Sequence, residues 1–179
     1  MGISREHNKH LVICTGGLPA SGTTLVPCLL AQSLFKGATR VRVSAGANDN
    51  READELDFHG LHPLPHTLFD PHHEVDWTKT HHRGWLHDLI HLSPNGSQFI
   101  LDVSAGNPKH KRHAVSDILR DFPFLSQYLV DLVMLMKPDN ASVYRTRSSI
   151  ADYCGVGRPN IRVTAVFNNA AGGKGGWSD

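Results

Sequence analysis

Three stretches carry residue types that could do chemistry together. Gly17-Leu18-Pro19-Ala20-Ser21-Gly22-Thr23-Thr24 fits the phosphate-loop pattern G-x-x-x-x-G-K-[ST] everywhere except the lysine, where Thr23 stands. In that pattern backbone N–H groups, here those of Gly17, Ser21, Gly22 and Thr23, face phosphate oxygens, helped by the positive end of the following helix. The hydroxyl at the last position, Thr24, would contact Mg²⁺. Asp102 follows the apolar run Phe99-Ile100-Leu101. A carboxylate at a strand end can hold Mg²⁺ through water or orient an attacking water. Asn168 closes the run that ends Val166-Phe167, where a side-chain amide could read the edge of a purine. Taken singly, each has a plainer reading: a βα turn, a carboxylate capping a turn, a common loop residue. Taken in order, they suit a nucleotide with its metal ion.

Two other groups invite a chemical reading. The chain has thirteen histidines, most of them between His59 and His113. His87 and His91 are four apart in a predicted helix and share a face, as two metal ligands do. Asp88, His81-His82, His72-His73 and Glu74 lie nearby. His-x-x-x-His without a glutamate in the second position is not the zinc-protease signature, and no third ligand has a recognisable spacing. Solvated polar positions are the favoured reading over a His-ligated metal. The basic run Lys109-His110-Lys111-Arg112-His113 reads as a solvated helix start, or as a non-specific contact to DNA phosphates.

The elements that must position these residues alternate in type. Leu11-Val12-Ile13 reads as a buried strand from about His10 to Cys14, and a helix follows from Gly22 to about Phe35. Pro27 falls in its first turn, where a missing N–H costs least, and Gly37 stops it. Val41-Arg42-Val43 is a second strand, running into the polar loop Ser44 to Asn50. From Arg51 to Asp76 no period holds, and Pro63, Pro65 and Pro71 break any long helix, so the stretch reads as an irregular insertion with one short helix. A helix is predicted from about Asp76 to Leu92, with Trp77, Leu86, Leu89 and Ile90 as its apolar face. Gln98 to Val103 is the third strand. A helical region from Ala114 to Leu129, divided by Pro123, follows the basic run. Asp131 to Met136, a helix from Ala141 to Tyr153, and a fifth strand from Ile161 to Phe167 complete the order. Apolar strands alternating with helices predict an α/β fold, a parallel sheet of at least five strands with helices on both faces. Ligands of such sheets bind beyond the carboxyl ends of the strands, where all three candidate stretches fall.

Composition sets the limits. At 179 residues, 40% hydrophobic and 20% charged, the chain suits one globular domain over 1–171, with the glycine-rich tail 172–179 flexible. A formal net charge of +1 demands no polyanionic partner. No apolar run approaches the roughly 18 residues that span a bilayer. The first residues lack the apolar core of a secretory signal. Three cysteines, Cys14, Cys28 and Cys154, on apolar segments or at a helix end, read as reduced thiols, and a cytoplasmic location is expected.

The order of motifs resembles the ParA/MinD family of the SIMIBI class of P-loop ATPases, including plasmid-partition and conjugative-transfer members. Asp102-Val103-Ser104-Ala105-Gly106 is similar to that family's aspartate turn, and Val166-Phe167-Asn168 to its strand ending in an adenine-contacting asparagine. Met136 to Val143, with Pro138 and Asp139 before a helix, is similar to its segment after the fourth strand. The resemblance implies binding of ATP or ADP with Mg²⁺ by Gly17, Ser21, Gly22, Thr23, Thr24 and Asn168. Thr24 and Asp102 would serve the metal and Asp102 a water, in a homodimer that touches DNA through Lys109 to His113. This chain departs from the pattern at three points. Leu18 replaces the signature lysine, Thr23 replaces the phosphate lysine, and Ser44 stands where an acid is expected. Losing a lysine from the phosphates removes a charge-assisted contact of roughly 1.5–3 kcal/mol. Weak or absent hydrolysis is therefore the expectation, with a non-catalytic interaction module as the alternative. Arg40, Arg42 and Lys109 are the nearby cations that could stand in.

Overall fold

The computed structural model describes residues 9–16, 25–44, 74–103, 108–154 and 160–168; at Glu74 and over 108–113 the description is of backbone only. Among the described residues six strands form one sheet: β1 (Lys9–Gly16), β2 (Thr39–Ser44), β3 (Glu74–Asp76), β4 (Gln98–Val103), β5 (Tyr128–Met136) and β6 (Ile161–Phe167). Their spatial order is β3-β2-β4-β1-β5-β6, and every neighbouring pair is parallel. Four α-helices connect them: α1 (Leu25–Ser33), α2 (Thr80–His91), α3 (Pro108–Asp121) and α4 (Asn140–Cys154). A short 3-10 helix, Pro123–Gln127, leads into β5.

The connections explain which helix covers which face. From β1 the chain returns through α1 across β4 to β2, while α2, α3 and α4 each carry it the opposite way along the sheet. Right-handed crossovers then put α1 on one face and the other three helices on the other. The packing agrees. Leu86 and Ile90 of α2, Val115, Ile118 and Leu119 of α3, and Tyr153 of α4 join the large core with Leu11, Ile13, Leu101 and Leu132. On the opposite face Leu30, Ala31 and Phe35 pack over a small core of Val12, Cys14 and Ile100. Each fully buried Leu or Ile contributes roughly 1.5–3 kcal/mol, so the α2–α4 face carries most of the apolar stabilisation.

The sequence expectations meet this architecture closely and miss it in places. β4 and β6 have the predicted bounds, and Gly37, with φ of +85°, ends the turn after α1 in a conformation that glycine adopts without cost. β3 lies inside the stretch read as irregular; three residues are too few to show a period, and its pairing with β2 alone defines it. The basic run lies within α3, not ahead of it, because Pro108 supplies the preset φ of a first helical position. The supposed helical continuation to Leu129 gives way at Pro123, and β5 begins three residues before Asp131. The rest of the insertion and the glycine-rich tail lie outside the described residues. Among the described residues no helix is long and apolar enough to cross a membrane.

Candidate functional site

The strands' carboxyl ends share one edge of the sheet, and β1 lies in its middle. The connection after β1 runs toward β2, and that after β5 runs toward β6. The ends of these adjacent strands therefore form a topological switch point, the place where open α/β sheets bind ligands. Gly17, Ser21, Gly22, Thr23 and Thr24 lie outside the described residues. What is described is how the chain enters and leaves that loop, along β1 as far as Gly16 and from the first residue of α1, Leu25.

Asp102 is on the strand beside β1, opposite Cys14 and two residues short of the level of Gly16. It is 7% exposed. Arg42 of β2 is its register partner on the other side, so Arg42, Asp102 and Cys14 stand in one row across three strands. Strand alternation gives this row the α1 face, which it shares with Val12 and Ile100. The Nε of Arg42 is buried and, among the described residues, has no hydrogen-bond partner. A cationic donor held this way, beside a carboxylate, is matched to an anion or a bridging oxygen. Arg40, on the same face, donates from Nη1 to the Cys28 sulfur at 3.7 Å.

The two thiols of this face are not reactive groups. Burial, then the nearby Asp102 carboxylate and Cys28, push the Cys14 thiol far above its ordinary range. Burial also raises Cys28; Arg40 opposes that rise, and Asp102 adds to it. Both are therefore neutral packing residues, unsuited to nucleophilic attack or metal ligation at neutral pH. Cys154, at the end of α4, is exposed.

Asn168 follows β6, and its backbone N–H donates to the Met136 carbonyl at 2.7 Å, extending the β5–β6 ladder by one residue. It stands at the same edge of the sheet as Asp102 but not beside it. Three strand spacings, roughly 14 Å, separate their strands, and Asn168 is four residues, roughly 13 Å, further along. An extended ligand is needed to touch both. Between them, the turn after β5 is built by two side chains. The Asp139 Oδ1 accepts the Ser142 N–H at 2.7 Å, and the Ser142 hydroxyl, fully buried, accepts the Lys137 N–H at 2.9 Å. Asp139 is thereby the N-cap of α4, which fixes the wall of the switch point.

At the far end of the sheet, β3 brings Asp76 level with Ser44, where an acid had been expected on β2 itself. Burial raises its carboxyl; hydrogen bonds from Thr78 and the charges of Lys79 and His82 outweigh this and hold it below the usual range. Those contacts commit Asp76 to the turn before α2. The only sequence signal for it is an acid just ahead of a helix start.

The histidine reading resolves differently. His87 and His91 do share a face, with ring centroids 5.6 Å apart, but both lie against Phe124, and His87 also meets Phe122. Among the described residues no group of three His, Cys, Asp or Glu is gathered to hold a metal ion. The pair covers an aromatic cluster at the end of the sheet away from the switch point. The side chains of Lys109 to His113 are outside the described residues. In comparisons with known proteins, no family model, no curated protein and no solved structure matches the chain.

Proposed function

We propose that this chain binds an adenine nucleotide with Mg²⁺ at the loop from Gly17 to Thr24, as a ParA/MinD-like protein with weak or absent ATPase activity. The observation that carries the reading is the strand order. It puts the end of β1, from which the glycine loop departs, at the switch point of a parallel sheet, with Asp102 buried on the adjoining strand and Arg42 in the same row. The residues present fit such a ligand, since the orphaned Arg42 Nε and the Asp102 carboxylate supply one group for an anion and one for a cation. When bound, Mg²⁺ would neutralise phosphate charge and fix phosphate geometry. Backbone amides of Gly17, Ser21, Gly22 and Thr23 would hold phosphate oxygens, Thr24 and Asp102 the metal's shell, and Asn168 the base. Asp102 would orient water in whatever hydrolysis occurs.

Calorimetric titration with Mg²⁺-ATP and Mg²⁺-ADP tests this. Binding in the micromolar to millimolar range is expected, and Thr23→Lys should tighten it roughly ten- to a hundredfold by restoring the charge-assisted contact. No binding at millimolar nucleotide, by either protein, would overturn the proposal and leave a non-catalytic interaction module on the same fold.

A further inference from the structure

Three cations could stand in for the missing phosphate lysine, and the structure separates them. The Arg40 guanidinium is engaged, donating from Nη1 to the Cys28 sulfur at 3.7 Å. The side chain of Lys109 lies outside the described residues. Arg42 differs from both. It is half-buried on β2, and its Nε is buried with no hydrogen-bond partner among the described residues. A guanidinium carries five N–H groups in a planar fork, each able to donate. Holding one of them dry and unmatched costs stability, and that cost is recovered when a ligand oxygen takes the bond.

The place of Arg42 follows from the register. Arg40 and Arg42 lie on the α1 face of β2, level with Ile100 and Asp102 of β4. The Arg40–Cys28 contact ties that face to α1, near its start at Leu25. Because α1 carries the chain back between parallel strands, it runs antiparallel to β2. From that contact, two residues of strand, roughly 6.6 Å, carry Arg42 toward the carboxyl edge. Three residues of helix, roughly 4.5 Å, lead the same way to Leu25, where α1 begins. Arg42 is therefore brought level with the start of α1, the element that follows the glycine loop.

We infer that Arg42 is the phosphate-binding cation of this site, supplying from β2 the charge that Thr23 does not supply from the loop. This role rests on the nucleotide reading and adds to it the residue that recognises the phosphates. An arginine suits the position better than a lysine, because its fork takes two oxygens at once and keeps its charge when half-buried. Its ligand is an anion with adjacent oxygens, the polyphosphate of a nucleoside di- or triphosphate. Arg42 and Asp102, in one row, then meet complementary parts of one ligand, the phosphate oxygens and the Mg²⁺ that accompanies them.

Calorimetric titration of Mg²⁺-ATP into the wild type, Arg42→Met, Arg42→Lys, Thr23→Lys and the double variant Thr23→Lys/Arg42→Met tests this. Arg42→Met, which keeps an apolar stem, should weaken binding tenfold or more, and Arg42→Lys should recover part of the loss. Ligand-free Arg42→Met should melt no lower than the wild type, since it removes a buried donor that nothing accepts. Because both cations serve the same phosphates, Thr23→Lys should tighten binding more in the Arg42→Met background than in the wild type. An Arg42→Met variant that binds as tightly as the wild type overturns the inference and leaves the nucleotide reading standing. So does one that melts below the wild type, which would make Arg42 a structural cation. A wild type that binds no nucleotide overturns the nucleotide reading itself, and this role with it.

Discussion

At the level of single residues, the charged groups on the α1 face of the sheet make a clear demand on pH. Asp131 accepts from both Arg162 and His10, the latter at 2.5 Å. Burial raises its carboxyl, but the hydrogen bonds and charges of Arg162 and His10 outweigh this and hold it below the ordinary range. A carboxyl depressed in the folded state stabilises the protein above its unfolded value, near 4, and that contribution is lost as pH falls through the lower folded value. The urea midpoint of the wild type should therefore fall more steeply below about pH 4 than that of Asp131→Asn. Because Arg162 is 61% exposed and screened by solvent, the difference at neutral pH should be only about 1 kcal/mol. Equal slopes for both proteins would show that the cluster adds nothing to folding. The cysteines give a sharper residue-level contrast. Cys14 and Cys28 are buried and Cys154 is exposed. A thiol reagent at pH 8 should label Cys154 rapidly and the other two only on unfolding, and fast labelling at Cys14 would contradict its packing.

Among the elements, α4 shows how a few side chains fix a wall of the candidate site. Its first turn has a single N-cap, Asp139, whose carboxylate takes the Ser142 N–H while its carbonyl takes the Val143 N–H. Asp139→Ala should cost about 1 kcal/mol in chemical denaturation, while Asp139→Asn or Asp139→Ser should recover most of it. That motif was legible, because a proline and an aspartate before a helical period signal a helix start. β1, β4, β5 and β6 were legible too, since a buried parallel strand is a bare apolar run bounded by turn residues. β3 was not, because a three-residue edge strand exists only through its neighbour's register. The same reason hid the row of Arg42, Asp102 and Cys14. Alternation in Thr39-Arg40-Val41-Arg42-Val43 puts both arginines on one face, but only sheet order makes β2 the neighbour of β4. The histidine pair was legible as a shared face, but the rings it covers were not. Phe122 and Phe124, which it covers, come from a segment more than thirty residues away in sequence that pattern alone does not bring near.

For the molecule as a whole, strand order decides which parts are most firmly held. β2, β4, β1 and β5 are flanked on both sides by other strands, whereas among the described residues β3 and β6 have one neighbour each. Backbone amides in the four inner strands should open only with global unfolding, and those at the edges by smaller, local fluctuations. Residue-resolved hydrogen exchange tests this and adds a discriminating pattern within β6. The N–H groups of Arg162, Thr164, Val166 and Asn168 turn toward β5, so they should be protected whatever the protein concentration. Those of Val163 and Ala165 face outward, and they should exchange faster than the inward set. Equal protection of the two sets would contradict a strand that, among the described residues, is held by β5 alone.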